Sequence, residues 1–175
     1  MFRTIILAAV LVSLSSAGTM EIEVGGAGVT TLGGWGENLS GGLSGEIQFN
    51  WLFSDKFRGG AGLEGTVYGS GNNVNTSFTQ LKPMGILSFY LRPHSASFNP
   101  GVVAAFGYCG SRLSSGGGID PASWDPFWRA GLRWNFSLGS PWRAGIGFDL
   151  ESVAATEKAG DAFRFAFGVS RGVQL

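Results

Sequence analysis

The chain has 175 residues with twelve basic and twelve acidic side chains, and it lacks the basic patch that nucleic-acid binding requires. Only 14% of the residues are charged, against about 25% in a typical soluble domain, whereas 44% are hydrophobic and 30 are glycine. One cysteine cannot form an internal disulfide, and one cysteine with one histidine cannot supply a zinc site.

The first 18 residues have the features of a secretory signal peptide. Arg3 provides a short positive region, residues 5–12 are apolar, and residues 15–18 are all small. Cleavage is expected after Ala17 or Gly18, which leaves residues 19–175 as one domain. The apolar run is too short for a spanning helix, and no cysteine follows the expected cleavage site to carry a lipid anchor.

Eight segments of the remaining chain alternate between apolar and polar residues, and turn residues separate them. In chain order the segments cover residues 21–31, 42–53, 57–69, 78–92, 101–113, 124–136, 143–151 and 163–175. A period of two indicates strands with two different faces. Pro83 interrupts the fourth segment, and because proline removes a ladder donor we expect a bulge near one rim there.

The last segment is the most regular of the eight. Phe163, Phe165 and Phe167 share one face, and small or polar residues occupy the other. A closing strand of this kind resembles that of the small eight-stranded outer-membrane proteins, the OmpX, OmpW and OmpA-barrel group. The resemblance covers residues 19–175 and implies an all-β, eight-stranded antiparallel up-and-down transmembrane β-barrel. In that group the final residue is usually phenylalanine, which the barrel assembly machinery recognises, whereas here it is Leu175.

The alternative is a soluble eight-stranded barrel such as a lipocalin, in which the apolar rows would point inward. The apolar rows hold about two dozen large side chains, but the interior of an eight-stranded barrel is only just wide enough to be filled by side chains. Tryptophans near predicted strand ends or in loops also suit the aromatic girdles of a membrane barrel. They are Trp35, Trp51, Trp124, Trp128, Trp134 and Trp142.

The connections between segments indicate an orientation. Those after the second and sixth segments are short, and those after the first, third, fifth and seventh are longer. The resemblance implies a location in the outer membrane of a double-membraned bacterium, and a barrel there with both termini in the periplasm and the longer loops outside should show this pattern. The longer turn after the fourth segment departs from the pattern.

The polar rows bring acids and bases together in the barrel interior. By parity, the expected lumen charges are Glu21, Glu23, Glu46, Arg58, Glu64, Lys82, Arg92, Arg129, Arg133, Arg143, Asp149, Glu151 and Arg164. Because unpaired burial of a charge is very costly, we expect a layered network of ion pairs that fills the barrel. Such a network is either a plug, which we favour, or a gated pore whose ion pairs rearrange.

The favoured function is a structural or surface-interaction role without catalysis, and the alternative is a narrow passive channel for small or hydrophobic solutes. Some barrels of this size modify lipid A with a histidine, a serine and an acid at the outer rim, but His94 lies on the predicted periplasmic side. No motif for a cofactor or a metal is found, so neither is expected. The expected partners are outer-membrane lipid and the barrel assembly machinery. Trp35 and Trp124 are candidates for contact with an extracellular ligand of unknown identity, although anchoring at the membrane interface is favoured.

Overall fold

In the computed structural model the described residues are 19–32, 39–70, 77–115, 118–119, 123–154 and 160–174, so the expected signal peptide lies outside them. Strands account for most of these residues. They are β1 (Thr19–Leu32), β2 (Leu39–Leu52), β3 (Phe57–Ser70), β4 (Ser77–Tyr90), β5 (Phe98–Ser115), β6 (Gly118–Ile119), β7 (Ser123–Gly139), β8 (Trp142–Val153) and β9 (Gly160–Gln174). Within the described ranges, no helix has the length and apolar character needed to cross a membrane.

The eight long strands close into a barrel. Each pairs antiparallel with the next long strand along the chain, and β1 pairs with β9 from Thr19 opposite Gln174 to Leu32 opposite Asp161. The two residues of β6 only extend the edge of β5 beyond the barrel wall. The predicted all-β, eight-stranded antiparallel up-and-down architecture is therefore confirmed.

Most strands run further than the alternation predicted, and β5 and β7 gain the most residues. β5 begins at Phe98 rather than at residue 101, and β7 continues to Gly139 rather than ending at Phe136. The extension of β5 packs against the predicted end of β7, because Phe98 lies opposite Phe136 with their ring centroids 5.3 Å apart. Gly139 then begins the turn into β8 with a φ of +102°, a conformation that favours glycine.

Pro83 does not form the expected bulge near a rim. It lies in the middle of β4 with its ring exposed on the outer face. The β4–β5 register is the same at Leu81 and at Met84, but Lys82 and Pro83 have no described partner on β5. The missing donor therefore leaves a local break in the ladder without a change of register.

Replacing Pro83 by valine is expected to stabilise the barrel by about 1 kcal/mol, because the restored N–H can donate across the β4–β5 seam and valine suits a strand. Urea unfolding in lipid vesicles would measure the change. Leu87→Val is a matched control on the outer face of the same strand, where the ladder is intact. A Pro83→Val barrel that unfolds more easily than the wild type would contradict this description of the seam.

The barrel wall has an apolar outer face. Every long strand contributes large exposed hydrophobic side chains to it, and together they form a belt around the barrel. Representative members, one from each long strand in turn, are Val24, Ile47, Leu63, Leu87, Phe106, Leu132, Phe148 and Phe165. The inward rows are buried and hold most of the charged side chains.

The interior is not charged on all sides. One inner wall, formed by β4, β5, β7 and β8, carries a buried apolar cluster. Its members are Met84, Ile86, Val103, Ala105, Cys109, Phe127 and Val153. Met84 and Ile86 therefore place apolar side chains in a row that also holds Lys82. Charged residues from three of these strands lie beside the cluster, since Arg129 Nη2 lies 2.9 Å from Met84 Sδ and Lys82 Nζ lies 5.9 Å from the ring centroid of Phe127.

Candidate functional site

Eight of the expected lumen charges meet in the middle of the barrel, and we call them the central cluster. They are Glu46, Glu64, Lys82, Arg129, Arg133, Asp149, Glu151 and Arg164, and all are buried. Four acids balance four bases, and they come from six strands whose inward rows the alternation defines. A neutral set of paired charges needs no counterion from solvent.

Glu64 is the centre of this cluster and has no exposed surface. Its Oε2 lies 2.6 Å from Arg164 Nη2 and 2.7 Å from Arg129 Nη1. Its Oε1 lies 3.3 Å from Lys82 Nζ and accepts a hydrogen bond of 2.9 Å from the hydroxyl of Thr66. These donors replace the water that an exposed carboxylate would bind.

Some ion pairs of the central cluster join adjacent strands, and others cross the interior. Glu64 of β3 contacts Arg164 of β9, and Lys82 of β4 contacts Glu151 of β8. Neither pair of strands is adjacent in the barrel. The contacts therefore brace opposite sides of the barrel against each other.

Asp149 connects two of the arginines. Its Oδ2 lies 3.1 Å from Arg164 Nη1 and 3.3 Å from Arg133 Nη2. Gly131 makes room for this carboxylate, because a Cβ atom at that position would lie only 2.2 Å from Asp149 Oδ1. Gly131 therefore helps to position the Asp149 carboxylate within the central cluster.

A second group, the turn-end cluster, lies where the turn after β4 crosses the end of the barrel; it consists of Glu21, Arg58, His94 and Arg143. Arg58 donates to Glu21 Oε2 at 2.5 Å and to His94 Nδ1 at 2.6 Å. Arg143 donates to the carbonyl oxygens of His94 at 2.5 Å and Ala96 at 2.9 Å. These bonds hold the turn across this end of the lumen.

His94 accepts a hydrogen bond as a neutral imidazole. Burial lowers its pKa from the ordinary value of 6.5, and the cations of Arg58 and Arg143 lower the pKa further, against the opposing effect of Glu21. A neutral ring also accounts for Nδ1 acting as the acceptor for Arg58. The 3.7 Å approach of His94 Nε2 to Glu21 is consequently not an ion pair at neutral pH.

The lowered pKa of His94 predicts a pH dependence of stability. The unfolded chain binds the proton more readily, so this group's contribution is fully present above about pH 6.5 and is lost as the pH falls below that value. Urea unfolding at pH 7.5 and pH 5.5 should therefore show a larger loss of stability for the wild type than for His94→Gln. Equal losses in the two proteins would contradict the environment described for His94.

Arg92 is a correction to the expected lumen set. β4 ends at Tyr90, so parity no longer applies, and the turn leaves Arg92 exposed with its guanidinium 5.8 Å from the ring centroid of Phe98. Glu23 points inward and is partly buried, but it forms no ion pair with any described residue. The expected lumen set thus divides into two clusters, one separate acid and one exterior arginine.

The structure gives roles to two interior residues for which the sequence predicted none. Tyr90 lies beneath the Arg58 guanidinium, 4.4 Å from its ring centroid. Asn99 is fully buried and exchanges hydrogen bonds with the backbone of Arg92. An asparagine beside a proline at a turn is a signal that could have indicated this role. The described residues contain no group of three or more His, Cys, Asp or Glu arranged to hold a metal ion.

The closing strand presents Phe163, Phe165 and Phe167 on the outer face, whereas Leu175 lies outside the described residues. The described tryptophans are distributed towards both ends of the barrel. Trp51, Trp134 and Trp142 lie towards the turn end, Trp124 and Trp128 lie towards the opposite end, and Trp35 is outside the described residues. This distribution suits two interfacial girdles.

No protein-family model matches the chain, and no curated protein matches it significantly. Among solved structures, Neisserial surface protein A (NspA) is similar with a TM-score of 0.65 and 12% identity, over 88% of this chain and 98% of that one. Ail, the attachment invasion locus protein of Yersinia pestis, has a TM-score of 0.62 and 12% identity, over 89% and 99% of the two chains. The N-terminal β-barrel domain of Pseudomonas aeruginosa OprF has a TM-score of 0.54 and 12% identity, over 87% and 97%.

At this level of identity the similarities establish the fold alone. The chain has the fold of the small eight-stranded outer-membrane β-barrel proteins. The resemblance inferred from the alternating segments is confirmed at that level.

Proposed function

We propose that the protein is an outer-membrane β-barrel whose ion-pair clusters close its lumen, and that it has a structural or surface-interaction role without catalysis. The observation that carries the proposal is the division between the two faces of the wall. The outer face is a belt of exposed apolar side chains, and the inner face buries the charges.

The apolar belt supports the membrane location. Soluble monomers rarely expose contiguous apolar patches larger than a few hundred Å². Here apolar side chains surround the barrel, with Phe148 and Phe165 each about half exposed and packed edge to face at 4.9 Å. Hydrocarbon is a favourable environment for such a surface, and closure of β1 onto β9 leaves no unpaired edge in lipid.

The central cluster supports a closed lumen. An eight-stranded barrel is just wide enough for its side chains to fill it. Opening a path would separate Glu64 from Arg164, or Lys82 from Glu151, and leave buried charges without partners. The turn-end cluster adds a second closure at one end.

The orientation and partners follow from the membrane location. We place the turn end and both termini in the periplasm, because the short connections at residues 53–56 and 140–141 lie there. The surface-interaction role is then assigned to the opposite end, near the exposed Trp124. The partners we propose are membrane lipid around the belt and, during biogenesis, assembly machinery that recognises β9.

The position of the histidine supports a role without catalysis. His94 is the one histidine of the chain, and it is hydrogen bonded to Arg58 in the turn-end cluster. A lipid-modifying site at the outer rim would need a histidine at the other end of the barrel.

Single-channel recording in planar bilayers would test the closed lumen. Wild-type protein, shown to be folded by its mobility on cold SDS gels, should give no conductance steps. Glu23→Gln is the matched control, because it changes an interior acid without breaking a described ion pair. Steps in the wild type whose size changes in Arg133→Glu would contradict the plug and favour the narrow passive channel instead.

A further inference from the structure

The outer wall carries an apolar groove of about 390 Å³ across β4, β5 and β7. Ala104 and Ala130 lie directly opposite each other in the β5–β7 pairing, and both face outward. Their small side chains leave a depression in a belt that is otherwise built from large residues. Phe57 and Leu87 border this depression.

The groove continues towards the turn end of the barrel. A second depression of about 140 Å³ shares Phe89 and Val102 with the first. It is lined further along by Leu91 and Pro100, where β4 and β5 approach the turn that joins them. The two depressions together form one elongated apolar groove on the outer face, which runs from the middle of the wall to the rim.

Arg92 lies at the rim, directly after Leu91. Its guanidinium lies over the ring of Phe98 and forms no ion pair with any described residue. The buried Asn99 fixes its backbone, because Arg92 N donates to Asn99 Oδ1 at 3.0 Å and Asn99 Nδ2 donates to Arg92 O at 2.9 Å. A cation is thus held in a defined place beside the end of the groove.

The adjoining turn does not neutralise this cation. It carries Asp55 and Lys56, whose opposite charges cancel, and it is bound to the end of β4 because Tyr90 N donates to Lys56 O at 2.8 Å. His94 on the turn of Arg92 is neutral, since its pKa is lowered by burial and nearby cations. The rim beside the groove therefore has a net positive charge from Arg92.

An apolar groove beside an unpaired guanidinium complements a molecule with an acyl chain and a phosphate group. We propose that this surface binds one anionic glycerophospholipid, with an acyl chain over Ala104 and Ala130 and the phosphate on Arg92. Guanidinium binds phosphate through charge-assisted, often bidentate hydrogen bonds, and the chain gains dispersion contacts along the groove. The inference rests on the proposed function, because the groove faces lipid only if the barrel spans a membrane.

Native mass spectrometry of the full barrel in detergent micelles, titrated with phosphatidylglycerol or phosphatidylcholine, would test the site. The wild type should retain one phosphatidylglycerol in preference to phosphatidylcholine. Arg92→Gln should weaken retention of phosphatidylglycerol about 5- to 10-fold and remove the preference. Ala104→Phe, which fills the groove from the exposed face, should reduce retention of both lipids.

Arg171→Gln is the matched control. Arg171 is also exposed near the turn end, and its guanidinium lies 5.5 Å from the ring centroid of Trp142, away from the groove. Equal losses in Arg92→Gln and Arg171→Gln, or unchanged retention in Ala104→Phe, would overturn the lipid site. A dimer that Ala104→Phe abolishes would assign the groove to a second copy and would also overturn it. If the wild type folds in micelles and shows no lipid preference, only this inference fails; if it does not fold there, the proposed function fails first.

Discussion

Replacing Glu64 by glutamine is expected to destabilise the folded barrel by about 3–5 kcal/mol, the usual cost of removing one partner from a buried ion pair. The amide keeps the size of the side chain but leaves Lys82, Arg129 and Arg164 facing a neutral group. All three cations lie within 3.3 Å of the native carboxylate and are almost completely buried. Equilibrium unfolding in urea, followed by tryptophan fluorescence in lipid vesicles, would measure the loss.

Glu23→Gln is the control for this prediction, because the same change is made in the same interior at an acid without a described ion pair. Its effect should be below about 1 kcal/mol, in the range of an ordinary hydrogen-bonding change. If both variants lose a similar, small amount of stability, the central cluster does not brace the barrel in the way the contacts indicate.

Phe148→Arg is expected to cost about 2–4 kcal/mol in a bilayer, because it places a guanidinium at mid-height on the lipid-facing wall. Phe148 lies in the middle of β8, is 56% exposed, and packs against the ring of Phe165. Folding titrations into vesicles of defined composition, with urea as denaturant, would give the difference from the wild type.

Leu138→Arg is the control for the same experiment, because it makes the same kind of change near the end of a strand instead of at mid-height. Leu138 is 62% exposed but lies one residue from the end of β7, where the side chain can reach the interface. The cost there should be no more than about 1 kcal/mol. A protein in which Phe148→Arg is harmless and improves solubility in water would have its belt exposed to solvent rather than to lipid.

The fold could be predicted from sequence because the side-chain period of a strand is a local property. β9 alternates from Phe163 onwards, and the structure places those phenylalanines on the outer face as expected. Parity also assigned Glu64 and Arg164 to the interior correctly. The prediction failed at Arg92, where the strand ends and parity no longer determines which way a side chain points.

The pairing of charges could not be predicted from sequence. Lys82 meets Glu64 through the register of the neighbouring strands β3 and β4. Whether Arg129 and Arg164 also reach Glu64 depends on the stagger of strands that are not neighbours, and the alternation of residues carries no information on this stagger. The contact between β3 and β9 therefore appears only in three dimensions. The apolar inner wall was missed for a different reason, since Met84 and Ile86 share the inward parity of Lys82 but are apolar, so the alternation of polarity does not mark them.

The most direct test of the account is the mobility of the refolded protein on cold SDS gels, with circular dichroism on the same sample. The account predicts a β-rich species that forms only with detergent or lipid and changes mobility on boiling. A β-rich protein that is soluble without detergent would contradict the account, because the apolar belt would then be stable in water and the faces of the wall would be inverted.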